Sequence, residues 1–522
     1  MANSELTMSS STTPLSPDSR INALLTGQHW GFSVGESITL SYSIPQGSAL
    51  WVANYAGNEP SNWSALDAAQ TSAFQQALNT WAEVADINFS QVTDGHTYGD
   101  IRVAFSQLVS DDPTAAGWAY IPGDPEESGD IWLDRSSGGT YQAGSFGYAT
   151  FLHEIGHALG LGHPFETKTG NPNLLTGSEN SSRYSVMSNQ DYEGAGFTFT
   201  ATGANSYSWY PVQATGPMLY DILAIQYLYG ANMRTRTGDD TYTFSNSSAE
   251  LQAIWDAGGN DTFDLSNQNL AQRVNLNAGQ FSAIGIKETW QDNQGIVVSA
   301  VSDNIAIAYD VIIENVIGGS GNDTLTGNQY GNQLTGGSGS DILIGGQGID
   351  TAIYTENFSH YALSTNQSLQ IVVNDLSNGD SDSLSEIEWL QFKDQTISAA
   401  ALNGNVPQNP DEVILDPSEG SENHINYFLL SLPTALGHEA SVEYRTLDGS
   451  ALAGLDYKAT SGLAVIAAGQ TSTVIGVEII ADTIVEDDET FFLEVSNPSG
   501  ANFPEGEIIL TAMRTIVNDD FV

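Results

Sequence analysis

The sequence predicts a multidomain α+β fold in which the helices lie in the first 230 residues and β-strands form the rest. The chain has 522 residues, which is more than a single hydrophobic core usually serves. Helical patterns end near Gly230, and from Gly238 to Leu402 the sequence is rich in Gly, Asn, Asp and short β-type runs. A Pro-containing linker at residues 406–412 then precedes a further stretch of alternating strands.

Three helices and one strand are predicted in the first part of the chain. They are a helix over residues 66–88 with Phe74, Leu78 and Trp81 on one face, the strand DIRVAFS with alternating Ile101, Val103 and Phe105, a helix from about Tyr148 to Gly160, and the helix PMLYDILAIQYLYG, which ends at Gly230.

The composition limits the classes of partner. The formal net charge is −50, from 13 basic and 63 acidic residues, yet hydrophobic residues make up 40% of the chain, so we expect it to fold. This charge disfavours nucleic acid and anionic lipid as partners and favours cations. The absence of cysteine excludes disulfides, thiolate metal sites and cysteine nucleophiles.

The N-terminal 20 residues lack the basic and apolar regions of a Sec signal, and no segment has the ~18 apolar residues of a membrane-spanning helix. We therefore expect no membrane span. The protein is then either cytosolic or exported by another route.

The segment HEIGHALGLGHP has the pattern of a catalytic metal site. His153 and His157 are four residues apart, so on a helix their rings lie about 40° apart on one face. Gly160 allows the chain to leave the helix and bring His163 around as a third ligand. Zinc held by three imidazoles keeps an open position for water, and Glu154 is placed to take a proton from that water and pass it to a leaving amine. Ordinary helix histidines are the alternative, which the spacing of all three disfavours.

With this motif the sequence resembles the metzincin metallopeptidases, and among them the serralysins, over about residues 20 to 400. Downstream, SRYSVMSNQDY resembles the Met-turn of the family, with Met187 beneath the metal. Serralysins usually carry a tyrosine two residues after this methionine, which contacts the transition state. Asn189 stands there in this chain, and Tyr192 is three residues further on. An amide can donate a hydrogen bond but presents no phenol to the zinc.

From Gly318 the chain repeats every nine residues in a pattern that resembles the RTX calcium-binding repeat. Glycines allow tight turns that offer oxygen ligands to Ca²⁺, and an apolar residue in each repeat points inward. A plain glycine-rich linker is the alternative. The predicted calcium ligands are Asp323, Asn332, Asp341 and Asp350, and the inward residues are Leu325, Leu334, Leu343 and Ala352. Asn332 replaces a carboxylate, so its site should be weaker.

Two further segments carry calcium candidates. DAGGNDTFDLS, with Asp256, Asp261 and Asp264, resembles the opening turn of the serralysin β-roll, and residues 353–402 should cap that roll. The last domain resembles a Calx-beta domain, an immunoglobulin-like β-sandwich with acidic loops at one end. The matching positions are Glu419, Asp456, Asp482, Glu486, Asp488, Glu489, Asp519 and Asp520. A structural sandwich whose acidic loops are merely solvated is an equal alternative.

The resemblance implies five segments. They are an N-terminal leader or propeptide-like segment at 1–22, a metzincin-like α/β zinc peptidase domain at 23–232, an RTX parallel β-roll with its β cap at 233–405, a linker at 406–412, and a Calx-beta domain at 413–522.

Together these features predict a secreted zinc endopeptidase that cuts extracellular proteins. In a calcium-poor cytosol the carboxylates of the roll repel one another, so folding should follow export. The resemblance implies the type I secretion machinery as a partner. A calcium-dependent adhesin or matrix protein with a weak or inactive peptidase domain is the alternative, and a glycan-binding carrier is a third. The sequence does not indicate an oligomeric state.

Overall fold

The computed structural model describes residues 8–516 with gaps. The segments outside the description are residues 48, 50, 52–54, 56–58, 96, 108–114, 124–126, 136–138, 204–205, 287–301, 367–369, 400–413, 419–424, 433–434, 481–488, 504–507 and, at the ends, 1–7 and 517–522. The chain divides into two compact units at residues 323 and 324, inside the predicted β-roll domain. Among the described helices, none is long and apolar enough to cross a membrane.

The first part of unit one is a five-stranded sheet with helices. The helices are α1 Ser19–Leu24, α2 Ala68–Val84, α3 Phe146–Ala158 and α4 Leu219–Tyr229, and the strands are β1 Ser10–Thr12, β2 Gln28–Trp30, β3 Ile38–Ser43, β4 Ile87–Gln91, β5 Ile101–Ser106, β6 Gly117–Ala119, β7 Asp130–Asp134, β8 Phe197–Gly203 and β9 Ser206–Pro211. Short 3-10 helices lie at Glu59–Asn62, Gly177–Glu179 and Glu193–Ala195. The sheet has the order β4-β3-β5-β7-β6, and only β6 runs antiparallel to its neighbour. Among the described strands, β6 is therefore an edge of this sheet, and it lies next to α3.

Helix α2 begins at a capping box. The Asp67 side chain accepts from the Gln70 backbone N–H, and the Gln70 side chain accepts from the Asp67 backbone N–H. Phe74, Leu78 and Trp81 are fully buried, as their spacing predicts. The predicted end at residue 88 was wrong, because Ile87 opens β4 and pairs with Ile38 of β3.

The N-terminal segment contains structure that the sequence analysis did not predict. Strand β1 pairs with β2, and the Asp18 side chain caps α1. A six-residue helix has fewer than two turns, too few for a periodic signal. The predicted boundary at residue 22 falls inside α1, where Asn22 is buried.

The second part of unit one consists of short strands. They are β10 Thr241–Thr243, β11 Gln252–Ile254, β12 Thr262–Asp264, β13 Arg273–Asn275, β14 Phe281–Ser282, β15 Ile305–Ile307 and β16 Asn315–Ile317. Strands β10, β12 and β16 are parallel, with Tyr242, Phe263 and Val316 in register. Phe263 and Val316 are completely buried, so this stack has an apolar interior.

Unit two begins within the first nine-residue repeat and continues through the later repeats and their cap. The strands are β17 Thr324–Thr326, β18 Gln333–Thr335, β19 Ile342–Ile344, β20 Thr351–Ile353, β21 Tyr361–Thr365, β22 Ile371–Asp375, β23 Ser381–Ser385, β24 Trp389–Gln391 and β25 Thr396–Ser398, with a 3-10 helix at Phe358–His360. Successive repeats alternate between two sheets, and the repeat strands within each sheet pair in parallel: Leu325 pairs with Leu343, and Leu334 with Ala352. All four side chains are fully buried, which confirms the predicted inward positions.

The remaining strands of unit two form two antiparallel sheets. The strands are β26 Ile414–Ser418, β27 Ile425–Ser431, β28 Ala440–Asp448, β29 Ser461–Ile466, β30 Ser472–Glu478, β31 Glu489–Ser499 and β32 Ile509–Ile516. One sheet has the order β26-β27-β30 and the other β29-β28-β31-β32. Phe428, Tyr457 and Phe491 are buried together between them, as expected for a β-sandwich.

Candidate zinc centre and calcium-binding turns

Helix α3 carries the first two histidines of the motif. Its N-cap is Ser145, whose hydroxyl accepts from the Tyr148 backbone. Phe151, Leu152 and Ile155 are fully buried and fix the orientation of the helix against the rest of the domain. His153 and His157 therefore project from one rigid helix, one turn apart.

The chain leaves α3 through Gly160, which brings the third histidine back. Gly160 has a φ of +105°, and an added Cβ would lie 2.5 Å from the Gln28 carbonyl oxygen, so both the backbone and the space require glycine. The Gly162 N–H donates to the Leu24 carbonyl at 2.6 Å, which holds the returning segment to the end of α1. This confirms the turn that the sequence predicted before His163.

The three histidines converge on one point. Each pair of Nε2 atoms, from His153, His157 and His163, is 3.1 Å apart. A tetrahedral zinc ion with bonds of about 2.0–2.1 Å places its nitrogen ligands about 3.3 Å apart, so the spacing fits zinc. The Nδ1 atoms of His153 and His157 donate to the Val186 and Leu161 carbonyl oxygens. Their Nε2 lone pairs must then face each other, an arrangement that a cation stabilises.

Burial favours the neutral form of two of these histidines. It lowers the pKa of His153 to about 4 and that of His157 well below its ordinary value. Both imidazoles are therefore neutral at pH 7, the protonation state that binds metal ions.

Glu154 lies beside the first ligand, between α3 and the edge strand β6. Only 3% of the residue is exposed, and its Oε2 has no hydrogen-bond partner among the described residues. Burial raises the pKa of Glu154 to about 8. An added Cβ on Gly117 of β6 would lie 3.0 Å from Glu154 Oε1, so this glycine leaves room for the carboxylate. Sequence reasoning had found Glu154 but not Gly117.

The predicted Met-turn lies directly beneath α3. Met187 is fully buried, and its Sδ would be 2.5 Å from a Cβ placed on Gly156, between the first two ligands. Asp221 of α4 holds the turn, because it accepts from the Ser185 hydroxyl at 2.7 Å and from the Val186 N–H at 2.7 Å. Burial raises the pKa of Asp221 to about 7. The only sequence signal for this role of Asp221 was its position as the one acidic residue in the otherwise apolar helix α4.

We expect Gly156→Ala to destabilise the zinc- and calcium-loaded protein by about 1–3 kcal/mol, because the new methyl overlaps Met187 and also approaches Trp81 to 3.3 Å. Urea denaturation would measure the loss. Gly95→Ala is the matched control, since its Cβ would meet no atom within 4 Å. Equal stability of the two variants would contradict the packing described here.

The two residues considered for transition-state contact are placed differently. Asn189 is exposed just after the Met-turn. The Tyr192 hydroxyl donates to the Ser302 carbonyl oxygen at 2.9 Å, so it is engaged by the start of the roll and not by the histidines.

The opening turn of the roll brings three carboxylates together. Oxygens of Asp240, Asp256 and Asp261 lie within 4.8 Å of one another. Asp261 is fully buried, its Oδ2 has no partner among the described residues, and burial raises its pKa to about 6. Three acids in such proximity fit a cation such as Ca²⁺, which prefers oxygen ligands. The sequence analysis had missed Asp240, and Asp264 on β12 lies outside the group.

The repeat residues are all buried at their turns. Asp323 accepts from the Gln272 and Gly319 N–H groups, at 2.7 and 2.8 Å. Within unit two, an added Cβ on Gly336 or Gly345 would lie 2.3 or 2.4 Å from the carboxylate of Asp341 or Asp350, five residues later in each case. The carboxylate of each acid therefore packs against the first glycine of its own turn, where a side chain would leave it no space. Asn332 does the same over Gly327 with its amide oxygen.

Most of the predicted ligands of the last domain lie outside the described residues. These are Glu419, Asp482, Glu486, Asp488, Asp519 and Asp520. Of the two described, Asp456 Oδ2 accepts from the Leu452 N–H at 2.7 Å, and Glu489 opens β31. Nearby, Asp448 Oδ1 accepts from the Tyr457 hydroxyl at 2.7 Å, a contact that the sequence did not indicate.

Three family models match the chain. The Matrixin model matches residues 57–194, the Peptidase M10 serralysin C terminal model residues 221–425, and the Calx-beta domain model residues 418–520. Together they support a multidomain layout of catalytic domain, serralysin C-terminal region and β-sandwich.

Characterised relatives are similar over part of the chain. Serralysin C of Dickeya chrysanthemi is 37% identical over 280 residues, which are 50% of this chain and 54% of that protein. Serralysin of Proteus mirabilis is 34% identical over 334 residues, which are 58% of this chain and 62% of that protein. The chain therefore spans roughly half to three fifths of the length of these relatives.

Two solved structures of calcium-binding domains are similar to part of the chain. Calcium binding domain CBD12 of CALX1.1 has 30% identity and a TM-score of 0.19, covering 21% of this chain and 46% of its own. The apo-form Calx CBD1 domain has 32% identity and a TM-score of 0.17, covering 19% and 84%. The family models and the serralysin relatives confirm the resemblance to serralysin-type metzincins with a Calx-beta domain, and they agree with zinc and calcium as the cofactors.

Proposed function

We propose that this chain is a secreted zinc-dependent endopeptidase that hydrolyses peptide bonds in extracellular proteins. One observation carries the proposal. Three histidine Nε2 atoms, 3.1 Å apart, converge beside the buried carboxylate of Glu154, whose Oε2 has no partner among the described residues. Burial makes Glu154 a stronger base, and a zinc ion on the neighbouring histidines would favour its ionised form, so that it could accept a proton during an attack on a carbonyl and return it to the leaving amine.

His153, His157 and His163 would hold the zinc ion, which when bound supplies a Lewis acid for the peptide carbonyl and for water. The carbonyls of Val186 and Leu161 orient two of the imidazoles from behind. Asp221 keeps the Met-turn, and with it the Val186 carbonyl, at the required position.

Strand β6 offers a place for an extended substrate. Ala116 and Tyr120 bond to β7 through their backbones, so the backbone groups of Gly117 and Ala119 point away from β7, where no described strand pairs with them. A peptide added there as a further strand would run beside Glu154, with main-chain hydrogen bonds independent of its side chains. Glu59 supports the edge, because its Oε1 accepts from Trp118 Nε1 at 3.1 Å and from the Tyr120 hydroxyl at 3.0 Å.

The calcium-binding turns extend the proposal to folding and export. Buried acids such as Asp261 and Asp341 oppose folding where Ca²⁺ is scarce and support it outside the cell. Export by type I secretion before folding accords with this, as does the net charge of −50. We retain the boundaries 1–22, 23–232, 233–405, 406–412 and 413–522 as part of the proposal, with a metzincin-like domain, an RTX β-roll and a Calx-beta sandwich as the folds. Calcium ligation by the Calx-beta loops stays a prediction.

Casein cleavage by the purified full-length protein tests this function. We expect hydrolysis in zinc and calcium, its loss on treatment with a zinc chelator in calcium-containing buffer, and its return when zinc is added back. A protein that binds zinc and cleaves neither casein nor unfolded peptides would refute the endopeptidase.

A truncation tests the independence of the last domain. Ending the chain at Asn405 should leave kcat/KM on a short peptide within about tenfold of the full-length value, because the histidines, Glu154 and Met187 all belong to unit one. The truncated chain should be refolded in calcium and zinc, so that export does not affect the result. A greater loss would mean that the sandwich helps to build the active site.

A further inference from the structure

The third histidine is held differently from the other two. His153 and His157 lie on α3, and backbone carbonyls fix their outer nitrogens. His163 lies on the loop after Gly160, and its Nδ1 faces a side chain, the Glu166 carboxylate, at 3.0 Å. The Phe165 ring also stacks on the His163 imidazole, with centroids 5.1 Å apart and planes 9° apart.

A lysine side chain links the same loop to helix α1 by hydrogen bonds. Lys168 Nζ donates to the His163 carbonyl at 2.6 Å, to the Ala23 carbonyl in α1 at 2.7 Å and to the Glu166 carbonyl at 3.3 Å. An ammonium has three donors, so all of them are used. An added Cβ on Gly162 would lie 2.8 Å from Lys168 Cε, so the lysine stem packs directly against the segment that leads to His163.

We propose that Glu166 and Lys168 are positioning residues that hold His163 in its ligand geometry and thereby set how tightly zinc is retained. A carboxylate at Nδ1 fixes the tautomer that turns the Nε2 lone pair toward the metal, and it makes the imidazole a stronger ligand. Lys168 ties the backbone of the same residue to α1. The inference rests on the zinc site of the proposed function but concerns retention of the metal, not the chemical step.

Zinc affinity and zinc release from the full-length protein test the inference, with a chromophoric chelator as the competitor in calcium-containing buffer. We expect Glu166→Ala and Lys168→Met each to weaken zinc binding about 10- to 100-fold and to speed release, the usual effect of removing such a partner. Glu166→Gln, which keeps an acceptor without the charge, should fall between wild type and Glu166→Ala. Glu36→Ala and Lys393→Met, at exposed positions, are the matched controls and should behave as wild type.

Wild-type zinc affinity in both Glu166→Ala and Lys168→Met would overturn the proposal. If Lys168→Met fails to fold, Glu166→Ala decides alone, because the Glu166 side chain is 58% exposed and its removal leaves no cavity. The proposed function fails separately. A wild-type protein that binds zinc but cleaves no peptide would refute the endopeptidase, while weakened zinc binding in the variants would still support the positioning role.

Discussion

Replacing Glu154 with glutamine should leave zinc bound and lower kcat on peptides by about 10²-fold or more, which corresponds to about 2.7 kcal/mol of transition-state stabilisation. Glutamine has the size of glutamate, so the space beside Gly117 stays filled. It cannot accept a proton, however, and a buried carboxylate next to the first ligand is the group placed to do so.

The measurement pairs zinc content with peptide turnover for each purified variant. Glu36→Gln makes the same chemical change at an exposed position and should retain full activity. If Glu154→Gln binds zinc and turns over peptide at the wild-type rate, another group performs the proton transfer and the proposed role of Glu154 is wrong.

The convergence of the three histidines could be predicted because their geometry is local. Residues four apart on a helix share a face whatever the rest of the fold does, so His153 and His157 needed only a helix. The return of His163 needed one left-handed residue, and glycine at position 160 was visible in the sequence. The inward apolar residues of the repeats were predictable for the same reason, since each period repeats one local turn.

The supporting residues were not predictable in this way, because they act across long separations in sequence. Asp221 lies 35 residues from the Val186 N–H that it binds. Gly117 becomes meaningful only once β6 lies beside α3. In the opening turn of the roll, the parallel pairing of β10 with β12 brings Asp240 close to Asp256 and Asp261. Asp264 is part of the same sequence segment, DAGGNDTFDLS, but lies outside this group of carboxylates.

The end of α2 illustrates tertiary context overriding a periodic pattern. The spacing of Phe74, Leu78 and Trp81 does not itself mark where the helix ends, but Ile87 is β-branched and finds a partner strand in β3. Hydrogen bonds to that strand replace those of another helical turn. The sequence alone offered no means of knowing that β3 would be there.

Removing calcium should lower the melting temperature of the roll and also that of the domain that contains the three histidines. A calcium site contributes about 2.7 kcal/mol to the free energy of folding when free Ca²⁺ is at 100 times its Kd. Emptying three or four such sites together would remove about 8–11 kcal/mol, which is comparable to the stability of a whole domain. The loss of stability should extend to the domain of the three histidines, because the first part of the roll, around residues 281–303, packs on the residues just before Met187. Tyr184 contacts Phe281 edge to face, and Arg183 pairs with Asp303 at 3.3 Å.

A pair of substitutions makes this calcium prediction specific. Asp261→Asn should raise the melting temperature in calcium chelator, because the amide removes like-charge repulsion from Asp240 and Asp256, and should lower it in millimolar Ca²⁺, because a ligand charge is lost. The difference between the melting temperatures in calcium and in chelator, the calcium gap, therefore becomes smaller. Asp264→Asn is the matched control, since Asp264 lies outside the carboxylate group, and it should preserve the wild-type gap. Thermal unfolding followed by circular dichroism, with free zinc held constant, measures both. An unchanged gap in Asp261→Asn, or an equal narrowing in Asp264→Asn, would mean that calcium acts through other turns and that the three clustered acids do not form its site.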